Sequence, residues 1–473
     1  MSTFLLTGQD LLSMGYPEGK VIGIALKALE AFPKETKVEE LKSVLSNLLT
    51  NPSSYIEDPV LAPVAMELLV PVAKEAIIPL KDQGEVYSVF GKENIEAGAL
   101  NQMDIAMRLP VTVAGALMAD AHQGYGLPIG GVLATKNAVI PYGVGVDIGC
   151  RMSLTIYDID EDFFKTNESK FKRELIAHTK FGAGASWTGH LRSDHEVLSK
   201  SEFNATPFIK NLYDKAASQL GTSGGGNHFV EFGILEILKE EALLNVPKGK
   251  YLALLSHSGS RGFGATIAGY YTKLAKELCK LPREAANLAY LSLDSAEGQE
   301  YWLAMNLAGD YASACHEVIH NKISKAIGGT ILGRVENHHN FAWKEVLNGE
   351  EVIVHRKGAT PASENVLGII PGSMTAPGFL VKGKGEASSI NSASHGAGRK
   401  MSRTACIKTF TMKDMRAVLK EHGVVLIGGG LDELPMAYKD IESVMKFQSD
   451  LVEVLAKFTP KMVRMADDGS RED

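Results

Sequence analysis

Asp120–Met152 reads DAHQGYGLPIGGVLATKNAVIPYGVGVDIGCRM, in which two short β-type runs, GVLAT and AVIPYGVGV, alternate with glycine-rich loops. Short apolar runs bounded by glycine and proline are the pattern of buried strands, so the segment predicts a sheet-containing body. Its polar groups cluster in the loops, where Asp120, His122, Asp147 and Cys150 stand among the glycines. Glycine allows positive φ and close approach of backbone to a ligand, and Asp147 and Cys150, three residues apart, are candidate metal ligands. Alone the pair says little, because glycine-rich stretches are mostly turns.

Working outward, further β-type runs (YLALLS, EVIVH, GFLVKG) are interleaved with helical patterns such as GALNQMDIAMRL, REAANLAYLSL and YWLAMNLAGDYASACHEVIHNKI. This mixture predicts an α+β body, a single large mixed α/β unit over residues 81–473. Residues 1–80 read differently. VIGIALKALEAF and VEELKSVLSNLL repeat apolar residues every three or four positions, and DPVLAPVAMELLVPVAKEAIIPL adds prolines that start or break helices, so an accessory helical region is expected there.

At 473 residues and 45% hydrophobic content the chain can bury a sizeable core. No run of about 18 apolar residues occurs, and MSTFLLTGQDLLSMGY lacks the basic and cleavage regions of a signal peptide, so the expectation is a cytoplasmic protein without a membrane partner. Cys150, Cys279, Cys315 and Cys406 are too scattered for a disulfide framework, and only Cys150 has the neighbours of a ligand. A net charge of −7 argues against a surface coated with nucleic-acid contacts but leaves room for a local basic groove. Arg261, Arg399 and Arg403 are candidates for it, since a guanidinium beside glycine can grip phosphate bidentately. His355-Arg356-Lys357 and Lys382-Gly383-Lys384 read as solvated charged faces.

Four more clusters each set a histidine beside glycine, serine or asparagine: GTSGGGNHFVE ending at Glu231, SHSGSRG ending at Gly262, ENHHN ending at Asn340 and SASHGAGR ending at Arg399. Asp147, Cys150, His228, His257 and His339 then form five candidate ligands of mixed hardness, more than one tetrahedral ion needs. Five donors suit two divalent ions with one bridging group, and a thiolate bridge with imidazoles favours Mn, Fe, Co or Zn over Mg or Ca. Of His338 and His339, one is expected to be a ligand and the other structural. His395 sits instead in a small-residue loop with Arg399 four positions on, the setting of an imidazole that attacks phosphorus. Pro371-Gly372-Ser373-Met374 suggests a phosphate loop, and Tyr438 an aromatic for stacking on a base.

From about Val86 to about Glu453 the chain resembles the RtcB family of RNA-splicing ligases, through Asp-x-His-x-Gly, VGVDIGC, GGGNHF-x-E, HSGSRG, HHN, PGSM, SHGAGR-x-x-SR and PMAYKD in family order. The resemblance implies that Asp147, Cys150, His228, His257 and His339 hold two Mn(II) ions with Cys150 bridging, and that His395 carries GMP after attack on GTP. It places Asn227, Glu231, Asn340, Pro371, Gly372, Ser373, Met374, Gly396, Ala397, Gly398 and Tyr438 at the guanine nucleotide, and Arg261, Arg399 and Arg403 at phosphate or RNA. The implied reaction joins an RNA 3′-phosphate or 2′,3′-cyclic phosphate to a 5′-hydroxyl, in tRNA splicing or RNA repair. The partners expected are RNA ends, GTP and an activating helper protein, with the ligase a monomer.

Three departures point to a divergent paralogue. Arg151 stands where the family has glycine after the metal cysteine, adding a cation expected to face phosphate. Pro377-Gly378 replaces a family serine past PGSM, and the chain ends DDGSRED without the family's lysine, for which Arg471 could substitute. A dinuclear phosphoesterase and an RNA-end-binding protein are the competing expectations, and the intact His395 loop counts against both.

Overall fold

The computed structural model describes residues 6–17, 20–33, 36–69 and 77–467. The chain divides into two compact units, Met1–Ala76 and Ile77–Asp473.

In the first unit, helices Gly8–Ser13, Lys20–Leu29, Val38–Thr50 and Ala62–Leu69 follow the three- and four-residue apolar spacing. They bury Leu11, Ala25, Leu45 and Val64 in a core of their own. Thr7 starts the first helix with a reciprocal capping box to Asp10.

The second unit is an α+β body built on two large sheets. One has the strand order Ser88–Val89, Thr112–His122, Ile129–Thr135, Glu350–Lys357, Asn340–Leu347. The other runs Leu367–Ile370, Gly378–Gly383, Val452–Met465, Phe229–Ile237, Gly249–Ser258, Arg151–Tyr157, Ile331–His338, with Val425–Ile427 also paired to Val452–Met465. Helix Ala296–Ile327 is long because its apolar positions are capped by Ser295 at one end and closed by left-handed Gly328 at the other. Among the described residues no helix is long and apolar enough to cross a membrane.

Two sequence expectations are corrected here. AVIPYGVGV is not one strand: Ala138–Val139 pairs briefly and Pro141 then opens the helical turn Pro141–Val144, because proline at the first helical position fixes φ and needs no N–H partner. REAANLAYLSL is not an α-helix but a 3-10 segment, Arg283–Leu288, followed by the two-residue strand Leu291–Ser292, whose pairing with Ala138–Val139 overrides the helical pattern.

Register gathers the site. Met152 and Phe229 both pair with His257 from neighbouring strands, and Arg151 pairs with His338. Cys150, His228, His257 and His339 therefore lie at the same end of four adjacent strands. His339 falls where the chain leaves one large sheet at His338 and enters the other at Asn340.

Candidate functional site

The ends of these strands open on a cavity of about 850 Å³. On one wall, Cys150 Sγ lies 3.1 Å from His257 Nε2 and 3.5 Å from His228 Nε2, and His257 Nε2 lies 3.2 Å from His339 Nε2. Asp147 Oδ2 is 3.1 Å from His228 Nε2. Two triads, Cys150–His257–His339 and Asp147–Cys150–His228, bring their donor atoms within 4.8 Å of one another and share the thiol. All five residues are buried.

Local sequence explains the convergence. The Asp147 carboxylate accepts from Ser260 N at 3.0 Å, and a Cβ at Gly259 would overlap that carboxylate, which is why the SHSGSRG loop must have glycine there. His339 N donates to the Cys150 carbonyl and Gly149 N to the Asn340 carbonyl, lacing two ligand loops together. The carbonyl of Asn227 meets His257 Nδ1 at 3.2 Å and so leaves Nε2 to the cluster.

Burial, reinforced by neighbouring imidazoles, holds His257 and His339 well below the ordinary histidine range. They are neutral, the form that offers a lone pair to a cation. Burial opposes ionisation of Asp147, but its contact with His228 and the Arg261 charge prevail and its pKa is lowered. Two neutral imidazoles with Nε2 atoms 3.2 Å apart must share a proton or face a common cation, and the Nδ1 atoms of His228 and His339 are buried without a hydrogen-bond partner. A carboxylate, a thiolate and three imidazoles in two overlapping triads fit two borderline divalent ions.

Beside this wall stands His395, whose ring centroid lies 4.8 Å from that of His339. Its Nδ1 is 2.7 Å from Asp120 Oδ2, which also accepts from His395 N and Gly396 N. Asp120 is fully buried; burial raises its pKa, but the charge and hydrogen bond of His395, aided by Lys439, lower it overall. An ionised carboxylate at Nδ1 fixes the N–H there and leaves the lone pair on Nε2. Gly398, at φ +71°, has no room for a Cβ against the Asp120 carbonyl, so the HGAGR loop closes directly over the strand that carries Asp120.

The cavity is lined by Asn227, Glu231, Asn340, Pro371, Gly372, Ser373, Met374, Gly396, Ala397, Gly398 and Tyr438 together with His395, so every position expected at a nucleotide is gathered in one place. Ser373 Oγ accepts from Ala376 N at 3.2 Å and shapes the turn after PGS. Burial pushes Glu231 and Tyr438 well above their usual ranges. Arg399 and Arg403 line the cavity but are engaged with acids: Arg399 binds Glu433 at 3.1 Å and the Asp432 carbonyl at 2.7 Å, while Arg403 binds Asp432 at 2.8 Å and also Glu433.

Three expectations change. Arg151 does not line the cavity: it is buried on the opposite face of its strand from Met152, paired with Glu336 and donating to the Gly149 and Gly309 carbonyls. Strand alternation turns it away from the site that Cys150 faces. Arg261 also lies off the cavity lining, fully buried, and donates to Thr222 Oγ1 and the Gly182 carbonyl behind the His228 loop. His355, Arg356 and Lys357 are no solvated face but a buried strand end, where Arg356 pairs with Glu345 and Lys357 Nζ reaches the carbonyls of Tyr125 and Tyr142. His338 is the structural member of its pair, packed on Phe341 and Trp343. The residue that sequence reasoning left without a role is Asp120; a lone acid in the apolar run MADAH was its signal. Arg471 lies outside the described residues.

The structure thus sets a buried cluster of Asp, Cys and His donors suited to metal beside a carboxylate-held imidazole in one cavity. The family model for tRNA-splicing ligase RtcB matches residues 102–466, and the chain belongs to the RtcB family. It is 33% identical over 395 residues to RNA-splicing ligase RtcB1 of Escherichia coli, covering 76% of this chain and 92% of that protein. It is 29% identical over 416 residues to tRNA-splicing ligase RtcB of Nanoarchaeum equitans, covering 73% and 87% respectively.

Proposed function

We propose that this protein is an RNA ligase that uses GTP and Mn(II) to join RNA 3′-phosphate or 2′,3′-cyclic phosphate ends to 5′-hydroxyl ends, in tRNA splicing or RNA repair. The observation that carries the reading is His395, held through Nδ1 by Asp120 and set against His339 of the donor cluster. In this scheme Nε2 attacks the α-phosphorus of GTP, an N–P bond forms, and the bond to pyrophosphate breaks. A 2′,3′-cyclic end is first opened by water, which breaks the P–O2′ bond and leaves a 3′-phosphate; GMP passes from His395 to an oxygen of that phosphate, and the 5′-hydroxyl attacks the RNA 3′-phosphorus and displaces GMP. Asp120 holds the reactive tautomer and stabilises the positive charge that the ring acquires. Ser373, Gly396–Gly398 and Tyr438 line the same cavity, where the first four would offer polar groups to the phosphates and Tyr438 a ring to the base. Asp147, Cys150, His228, His257 and His339 would hold two divalent ions, which would neutralise phosphate charge and lower the pKa of the attacking hydroxyl.

Incubation with α-labelled GTP and manganese tests the proposal. A covalent label that is acid-labile and alkali-stable, and that leaves on addition of 3′-phosphate RNA, is the expected result. Opening of cyclic phosphate without any label would make the protein a phosphoesterase, and RNA binding without either would make it an end-binding protein.

A further inference from the structure

The cavity is larger than the nucleotide half of the site requires. At about 850 Å³ it lies toward the upper end of the roughly 300–1,000 Å³ of small-ligand sites. The cavity is also lined by Tyr125, Tyr142, Val146 and Lys357, none of which the guanylylation chemistry above uses. Tyr125 is 70% exposed and Val146 41%, yet both line the cavity. The Tyr125 and Tyr142 rings stack at 6.4 Å with an interplanar angle of 26°. An aromatic that the fold exposes and at the same time holds in place marks a binding surface.

Tyr125 is held from several sides. Gly126, at φ +71°, approaches the Asn287 carbonyl too closely for a Cβ, which fixes the turn that presents the ring. Lys357 Nζ donates to the Tyr125 carbonyl and, at 3.3 Å, to that of Tyr142. The same ammonium lies 5.0 Å from the Tyr142 ring centroid, and Lys276 Nζ lies 5.7 Å from it. The Tyr125 ring thus stacks on a Tyr142 ring flanked by two lysine amines, the pKa of Lys357 lowered by burial to about 7, and offers an apolar face of the kind that stacks a base. Glu96, the acid on the neighbouring rim, is engaged by Gln123 N.

Resting on the RNA-ligase reading, we propose that Tyr125, backed by Tyr142, is a stacking platform for the unpaired base next to the reactive end of the RNA. It is a second nucleic-acid subsite in the cavity that His395 and Tyr438 also line. Stacking suits a ligase acting on many RNA ends, because every base has a π-face and no particular sequence is read. The chain around the platform also runs directly into the donor cluster, since Tyr142 lies five residues before Asp147 and Val146 adjoins it.

The test uses the full chain with manganese and two labelled oligoribonucleotides, one ending in a 3′-phosphate and one in a 5′-hydroxyl, each with its terminal base intact or removed. For one of the two strands, Tyr125→Ala is expected to raise Kd on the order of tenfold, and removal of the terminal base to weaken wild-type binding equally. The base-free strand should then bind wild type and variant alike, and Tyr125→Trp should restore tight binding. The strand that responds identifies which end the platform holds. Kd within twofold of wild type for both intact strands, or an undiminished effect of Tyr125→Ala on both base-free strands, overturns the platform while wild-type ligation keeps the ligase reading. Absence of ligation and of RNA binding in the wild type overturns both.

Discussion

The two walls of the cavity satisfy their polar groups in opposite ways. On the donor wall, Cys150, His257, His339, His228 and Asp147 bring their donor atoms together, and burial holds His257 and His339 well below the ordinary histidine range. Beside it the side chains are already paired within the protein: Asp120 holds His395 through Nδ1, and Arg399 and Arg403 have Glu433 and Asp432. The first wall gathers donors of the kind that hold a metal ion, whereas the second is paired by the protein alone. A buried cluster of lone pairs costs free energy that a bound cation or a shared proton offsets, and a paired network holds its geometry with or without a ligand.

The comparison breaks most sharply at Cys150, which belongs to both donor triads. Cys150→Ala should abolish ligation and remove metal from both positions, and unchanged metal stoichiometry by elemental analysis would refute a shared thiolate. His395→Ala should equally abolish covalent GMP labelling, but with metal content near wild type, since no donor is touched. That variant should still join a pre-guanylylated RNA 3′-end to a 5′-hydroxyl, and GMP labelling that persists in it would place the nucleophile elsewhere.

Asp120→Asn sharpens the contrast further. It keeps a hydrogen bond to His395 but loses the charge that sets the tautomer, so guanylylation should slow by about 10²–10⁴-fold at unchanged metal content. A metal-binding defect in this variant would mean that the two walls are not independent.

Arg151→Gly removes a buried guanidinium from Glu336, which is one-third exposed, and frees the Gly149 and Gly309 carbonyls. A loss of about 1–3 kcal/mol in unfolding free energy is expected, with an unaltered apparent KM for GTP. A raised KM at full stability would return Arg151 to the phosphate side. The smallest effect is expected at Gly378, where a built Cβ meets only ordinary contact with Pro371 Cα at 3.4 Å. Gly378→Ser should change stability by under about 0.5 kcal/mol. It should lower the KM for GTP by no more than about tenfold, one neutral hydrogen bond's worth.

The sequence by itself determined the kinds of groups at the site and which loops carry them. Thiolate, carboxylate and imidazole are recognisable by type, and the glycines around them report close backbone approach, as Gly259 against Asp147 and Gly398 over Asp120 bear out. It also determined the α+β texture, because apolar periodicity is local. Only the tertiary structure decided direction and partnership. Whether Arg151 meets phosphate or Glu336 depends on which face of its strand turns inward, and that is set by pairing with strands more than 90 residues away. The burial of His355-Arg356-Lys357 follows from a neighbouring strand that supplies Glu345, and the role of Asp120 from a hydrogen bond spanning 275 residues. Residue type is written in the chain; the partner that gives it a charge state and a task is chosen by register and packing between segments that the local pattern cannot relate.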